Sequence, residues 1–184
     1  ERRSRKIGSG IEFADYREYM PGDDLRHIDW NLYARLQKLF LRLFEEEEDL
    51  YIYLLVDISP SMRMGEPSRL DYGLRVAAAL SYIALSNLDR VSLYTFGEQI
   101  HSRLPPSRGK NNIIKVLRFL ESIPDSKLTS TEDSLKSFIH QTTRRGIAVL
   151  ISDFFDPKGY TQALNLLRYH KYETYAIQIF DERD

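Results

Sequence analysis

Three short stretches carry oxygen-bearing side chains at spacings that could do chemistry together. "VDISPSM" places Asp57, Ser59 and Ser61 at alternate positions directly after an apolar run. In an extended loop that spacing puts all three side chains on one side. "LTST" offers Thr129 or Thr131 ahead of a helix-like segment, and "VLISDF" ends a second apolar run on Asp153. Carboxylate and hydroxyl oxygens suit a hard divalent cation; magnesium takes near-octahedral geometry at roughly 2.0 to 2.1 Å and keeps several waters. Two carboxylates only just balance the charge of such an ion. A shell otherwise made of neutral hydroxyls leaves it Lewis acidity for one more ligand, such as the Asp or Glu carboxylate of another protein. Asp-x-Ser-x-Ser alone is a weak signal, because both residue types are common in turns and caps. The second aspartate and the Thr-rich loop raise a metal-dependent docking site above a capped turn.

Such a site needs a frame that brings the ends of separate strands together. "LYIYLLVDI" is a continuous apolar run, as in a strand covered on both faces. "RLDYGLRVAAALSYIALSNL" repeats apolar residues at three and four and predicts a helix, with a strand after it in "RVSLYTFG". "QIHSRLPP" predicts a short edge strand closed by its two prolines. "NNIIKVLRFLESI" predicts a helix capped by Asn111 or Asn112. "STEDSLKSFIHQTTRRG" predicts another, with Ser130 and Asp133 as a near capping box and Gly146 past its end. "IAVLISDF" predicts a buried strand, "PKGYTQALNLLRYH" a helix after Pro157, and "ETYAIQIFD" a last strand. The order is that of an α/β fold with a doubly wound, mainly parallel sheet and helices on both faces. In such sheets ligands bind outside the carboxyl ends of the strands. All three polar stretches fall there.

"VDISPSM", "LTSTEDSL" and "VLISDF" resemble the metal-ion-dependent adhesion site of von Willebrand factor A domains. The resemblance implies that Asp57, Ser59, Ser61, Thr129 and Asp153 hold Mg2+ or Mn2+, with Thr129 matching the spacing to Leu135 better than Thr131. One departure is that Lys127 and Leu128 precede Thr129 where that family usually has two glycines. The first 49 residues are charge-dense and only brokenly periodic. "GSGIEFADYREYMPGDDLRHIDWNLYARLQKLFLRLFEEEEDL" resembles the signature of the bacterial domain of unknown function 58 family, which precedes a von Willebrand A-like domain. The expected organisation is therefore an N-terminal extension over 1–49 and a von Willebrand factor A-like domain over 50–184. That resemblance implies a partner class too, a MoxR-type AAA+ ATPase or its client, with this chain as a non-enzymatic adaptor.

Within the extension, Pro21-Gly22 marks a turn, and Asp23 or Asp24 can cap the segment after it. Arg17, Arg26 and Arg35 are expected to pair with Asp15, Asp23, Asp29 and the acidic run, and Trp30 to anchor the extension against the domain. The run Glu45 to Asp49 reads as a solvated face, since consecutive carboxylates on one element point apart. "SRGKNN" lacks the remaining phosphate-loop residues and reads as a helix-start turn. The four histidines are scattered without metal-ligand spacing. Arg69 and Asp71 open the first long helix, where either could also lean toward the metal.

A net charge of −1 gives the chain no electrostatic preference for nucleic acid or an anionic membrane. The absence of cysteine excludes a disulfide framework and a thiolate zinc site. No apolar run reaches the ~20 residues that span a bilayer. The expected location is cytoplasmic, as a piece of a longer protein that could be membrane-anchored. Two alternatives to the docking module stand. One is a metal-dependent phosphatase or hydrolase at the same strand ends, although Ser59 occupies the place where haloacid-dehalogenase-like enzymes need a second Asp. The other is a structural interaction domain whose metal site is empty.

Overall fold

The structure is a computed structural model that describes residues 4–7, 12–46, 50–124, 126 and 129–180. The chain divides into two compact units, Glu1–Asp49 and Leu50–Asp184.

The smaller unit holds β1 (Ser4–Ile7), β2 (Glu12–Glu18), a 3-10 turn at Leu25–His27, α1 (Trp30–Leu36) and β3 (Phe40–Glu46). Its strands form an antiparallel sheet in the order β1-β3-β2. The interrupted periodicity of this segment has a cause: the β2–β3 register shifts between Phe13 and Asp15, and a bulge breaks the alternation by two. Gly22 sits at φ 106 in the turn, a conformation open to glycine at little cost. Asp23 closes that turn, accepting from the Met20 amide at 2.8 Å and from Arg17 at 2.8 Å. Asp24 caps the 3-10 turn and pairs with Arg26, while Asp29 caps α1 through the amides of Asn31 and Leu32. Asp29 also accepts from Arg42 Nε at 2.7 Å and from the Tyr16 hydroxyl at 3.0 Å, tying β2, α1 and β3 together. Arg17 thus finds Asp23 as expected, but Arg26 takes Asp24, and Asp29 is claimed by an arginine on β3. Trp30 is 60% exposed, with its ring edge-on to Tyr33. Residues 47–49 of the acidic run lie outside the described residues, as do the side chains of Glu45 and Glu46.

The larger unit runs β4 (Tyr51–Asp57), α2 (Arg69–Ser86), β5 (Arg90–Phe96), β6 (Ile100–Arg108), α3 (Ile113–Glu121), α4 (Thr131–Gln141), β7 (Ile147–Ser152), α5 (Thr161–Tyr169) and β8 (Glu173–Gln178). Its five-stranded sheet has the order β6-β5-β4-β7-β8, parallel throughout except for the antiparallel β5–β6 pair. Alternate residues of the central strands feed two cores. Leu54, Val56, Leu93 and Ile151 meet Leu70, Ala77 and Leu85 of α2 and Val116 and Leu120 of α3. Tyr53, Leu55, Phe96 and Leu150 meet Leu135 and Phe138 of α4 and Ala163 and Leu167 of α5. Helices therefore cover both faces, as the buried runs require. This is the α/β, doubly wound, mainly parallel architecture expected of a von Willebrand factor A-like unit.

Several boundaries differ from the sequence reading. β6 continues through Pro105 and Pro106 to Arg108, because an edge strand can hold proline and its register shifts there against Val91–Leu93. Asn112 occupies the N-cap position of α3 as expected but makes no side-chain bond to the helix; its side-chain amide donates back to the Arg108 carbonyl at 2.7 Å. Ser130 makes no side-chain bond to the α4 backbone and donates instead to Asp133 at 2.6 Å. The capping box that does form, Ser68 with Asp71, opens α2. Gly146 lies five residues past the end of α4 and serves β7 instead: a Cβ there would lie 2.1 Å from the Tyr51 carbonyl oxygen of the neighbouring strand. α5 begins only at Thr161, since Lys158 and Gly159 form a turn whose amides bond Asp156.

Candidate metal centre

β4 is central, with β5 on one side and β7 on the other. The chain leaves β4 through α2 on one face of the sheet and leaves β7 through α5 on the opposite face. Their carboxyl ends therefore flank a topological switch point, the crevice where ligands of doubly wound sheets bind. Asp57 is the last residue of β4, and Asp153 comes directly after β7. Both are 2% exposed. Ser59 is fully buried, and its hydroxyl lies 3.1 Å from that of Ser61.

The hydrogen bonds around the two carboxylates are unequal. Asp57 Oδ1 accepts from the Ser59 amide at 2.8 Å, and Oδ2 from the Ser152 hydroxyl at 2.6 Å. Ser152 is the last residue of β7, and it also accepts from the Phe154 amide at 2.9 Å. It locks the two strand ends together. Asp153 Oδ1 accepts from the Phe155 amide at 3.1 Å, but Oδ2 is buried with no hydrogen-bond partner among the described residues. Burial, reinforced by the charge of Asp153, raises the Asp57 carboxyl from its ordinary value against the opposing bonds from Ser152 and Ser59.

The third loop is tied to the end of β5. The Ser130 amide and the Ser134 hydroxyl both donate to the carbonyl of Gly97, the residue after β5, at 2.9 and 3.1 Å. This fixes the start of α4 beside the strand that pairs with β4 through Asp57 and Phe96. Thr129 precedes that start and is half-buried. Thr131, the first residue of α4, is buried, and its amide donates to Asp156 at 2.8 Å.

These residues fit a hard divalent cation. Two buried carboxylates, neither in an ion pair among the described residues, carry like charge at one crevice, and one oxygen is left without a partner. Buried charge of this kind calls for a counter-charge. With hydroxyls making up the remainder, no group of three or more His, Cys, Asp or Glu that could hold a metal exists among the described residues. Two residues of the site escape the sequence reading, Ser152 and Asp156. A serine closing an apolar strand beside Asp153 is the available signal for the first, and Asp156 has none.

Against known proteins, the sequence model of the family described as "Protein of unknown function DUF58" matches residues 15–184. An uncharacterised protein of Mycobacterium tuberculosis (strain ATCC 25618 / H37Rv) is 28% identical over 182 residues, covering 96% of this chain and 57% of that protein. The chain thus spans little more than half the length of the curated relatives it matches. The conserved hypothetical protein BatB from Bacteroides thetaiotaomicron superposes with a TM-score of 0.57 at 20% identity, over 70% of this chain and 66% of that one. An aerotolerance-related membrane protein from Bacteroides fragilis NCTC 9343 gives 0.55 at 22% identity, over 71% and 67%. At these identities the two structures share the fold with this chain. Among the described residues no helix is long and apolar enough to cross a membrane.

Proposed function

The chain belongs to the family described as protein of unknown function DUF58, and on that premise we propose that its α/β unit is a non-enzymatic protein-interaction domain that depends on a divalent metal. Asp57, Ser59, Ser61, Thr129 and Asp153 would hold Mg2+ or Mn2+, and the bound ion would supply Lewis acidity for a partner's Asp or Glu carboxylate. The observation that carries this reading is Asp153 Oδ2, an oxygen buried without a hydrogen-bond partner among the described residues, beside the equally buried Asp57. Such an orphan is costly unless something coordinates it. Thr129 is preferred over Thr131 for its spacing to Leu135, as in the family the segment resembles. Ser152 orients Asp57, and the Phe155 amide orients Asp153, so each carboxylate keeps a fixed direction toward the crevice.

The partner proposed is a MoxR-type AAA+ ATPase or its client, with the chain acting as an adaptor; this rests on the family resemblance. The test is a pull-down from the cell of origin with the wild type and the Asp153→Ala variant, each with Mg2+ or with EDTA. Capture of the ATPase by the wild type in Mg2+, lost with EDTA and in the variant, supports the proposal. Capture indifferent to both overturns the metal dependence.

A second reading has one observation in its favour. Both oxygens of Asp57 already accept hydrogen bonds, and its carboxyl is raised toward the neutral form. A metal-free interaction domain could hold that arrangement. It predicts a thermal midpoint unmoved by EDTA or added Mg2+.

A further inference from the structure

One cation is buried beside the candidate centre. Arg69, the first residue of α2, is 6% exposed, and arginine is rarely buried without partners that justify it. Its Nη1 donates to the Ser61 carbonyl at 2.9 Å, and its amide donates to the Met64 carbonyl at 3.1 Å. Its guanidinium carbon lies 5.6 Å from the centroid of the Phe155 ring, within cation–π range. Phe155 in turn donates its amide to Asp153 Oδ1 at 3.1 Å. A continuous series of contacts therefore links the hydroxyls of Ser59 and Ser61 to the carboxylate of Asp153, and Arg69 is its middle member. The residue between Asp153 and Phe155 sits at φ 61, a left-handed conformation that a phenylalanine holds only when its surroundings impose it.

We propose that Arg69 is a positioning residue that clamps the loop after β4 to the loop after β7, setting the spacing of the metal ligands that the two loops carry. The proposal rests on the metal reading for its consequence, but not for the clamp. The guanidinium suits this task because one planar group can donate in its plane to Ser61 and present its face to Phe155. A lysine ammonium offers a point charge without that geometry. Groups that orient metal ligands typically change affinity by roughly 10- to 100-fold when removed.

Hydrogen exchange of the whole chain in EDTA tests the clamp, with peptides covering 58–64 and 153–157. Arg69→Ala should speed exchange in both loops together, with Arg69→Lys intermediate. Phe155→Ala, on a side chain already 56% exposed and so of little cost to the core, should speed exchange in 58–64 although it lies on the other loop. If each substitution loosens only its own loop, the clamp is overturned. Calorimetric titration with Mn2+ should then show affinity reduced about 10- to 100-fold in Arg69→Ala and Phe155→Ala. Unchanged affinity in both variants would overturn the positioning role. A wild type that binds no Mn2+ removes the metal reading, and the exchange result still decides the clamp.

Discussion

Asp57 shows how a single buried carboxylate can be both a cost to the fold and the reason for a site. Its carboxyl is raised above the ordinary value of 3.8, chiefly by burial. The folded state therefore binds that proton more tightly than the unfolded state. The stability Asp57 contributes is present at low pH and lost as pH rises through its folded value. At neutral pH the ionised group is destabilising unless a cation compensates it. Asp57→Asn should accordingly raise the thermal midpoint of the EDTA-treated protein at neutral pH, with the gain shrinking as pH falls through the raised folded value toward the ordinary 3.8, while abolishing any stabilisation by Mg2+. A lower midpoint for the variant in EDTA would show that Asp57 is held as a favourable ion by groups other than a metal. The spacing of Asp57, Ser59 and Ser61 and the strand-end position of Asp153 are legible in the sequence, because period and apolar runs carry them. The role of Ser152 is not, because it depends on which strands become neighbours. For Arg69 the sequence offers only a position from which it could lean toward the metal, because its contacts depend on where a long side chain folds back.

At the scale of elements, apolar patterning carries the succession of β4 to β8 with α2 to α5, and the strand that pairs with β4 across the switch point is the one the site requires. The boundaries that differ share a physical origin. Proline reads as the end of β6 at Pro106, whereas an edge strand with a shifted register accommodates it. Gly146 reads as a helix end by position, whereas its lack of a side chain serves the approach of β7 to Tyr51. Gly146→Ala should therefore act through the sheet. With a Cβ 2.1 Å from a backbone oxygen, the two strands must separate, at a cost of roughly 1–3 kcal/mol or more. Urea unfolding should show that loss; a midpoint equal to that of the wild type would mean the strands do not need the contact. Removing the α2 capping box by Ser68→Ala should cost about 1 kcal/mol in the same assay.

For the molecule as a whole, acid should weigh more heavily on the smaller unit than on the larger one. In the smaller one, Arg42 and the Leu32 amide hold the Asp29 carboxyl well below its ordinary value, Arg26 does the same for Asp24, and the Met20 amide and Arg17 for Asp23. Stability from such groups is present above the unfolded value near 3.8 and is lost as pH falls below it. In the larger unit Asp133 is lowered too by the Ser130 hydroxyl, and Asp156, against its burial, by the Thr131 amide. Asp57 is raised, however, and its protonation, complete before pH reaches 3.8, offsets part of that loss. The only tryptophan, Trp30, lies in the smaller unit, so its fluorescence reports on that unit. On acid titration through the carboxylate range, the Trp30 signal should change before the far-ultraviolet signal of the α/β unit; the reverse order would contradict this assignment. The central claim is that the ends of β4 and β7 form a metal-dependent site, and calorimetric titration of the EDTA-stripped wild type and of Asp57→Ala with Mg2+ and Mn2+ tests it most directly. The account predicts saturable binding of one ion by the wild type and none by the variant. No binding by the wild type, or equal binding by both, would contradict it.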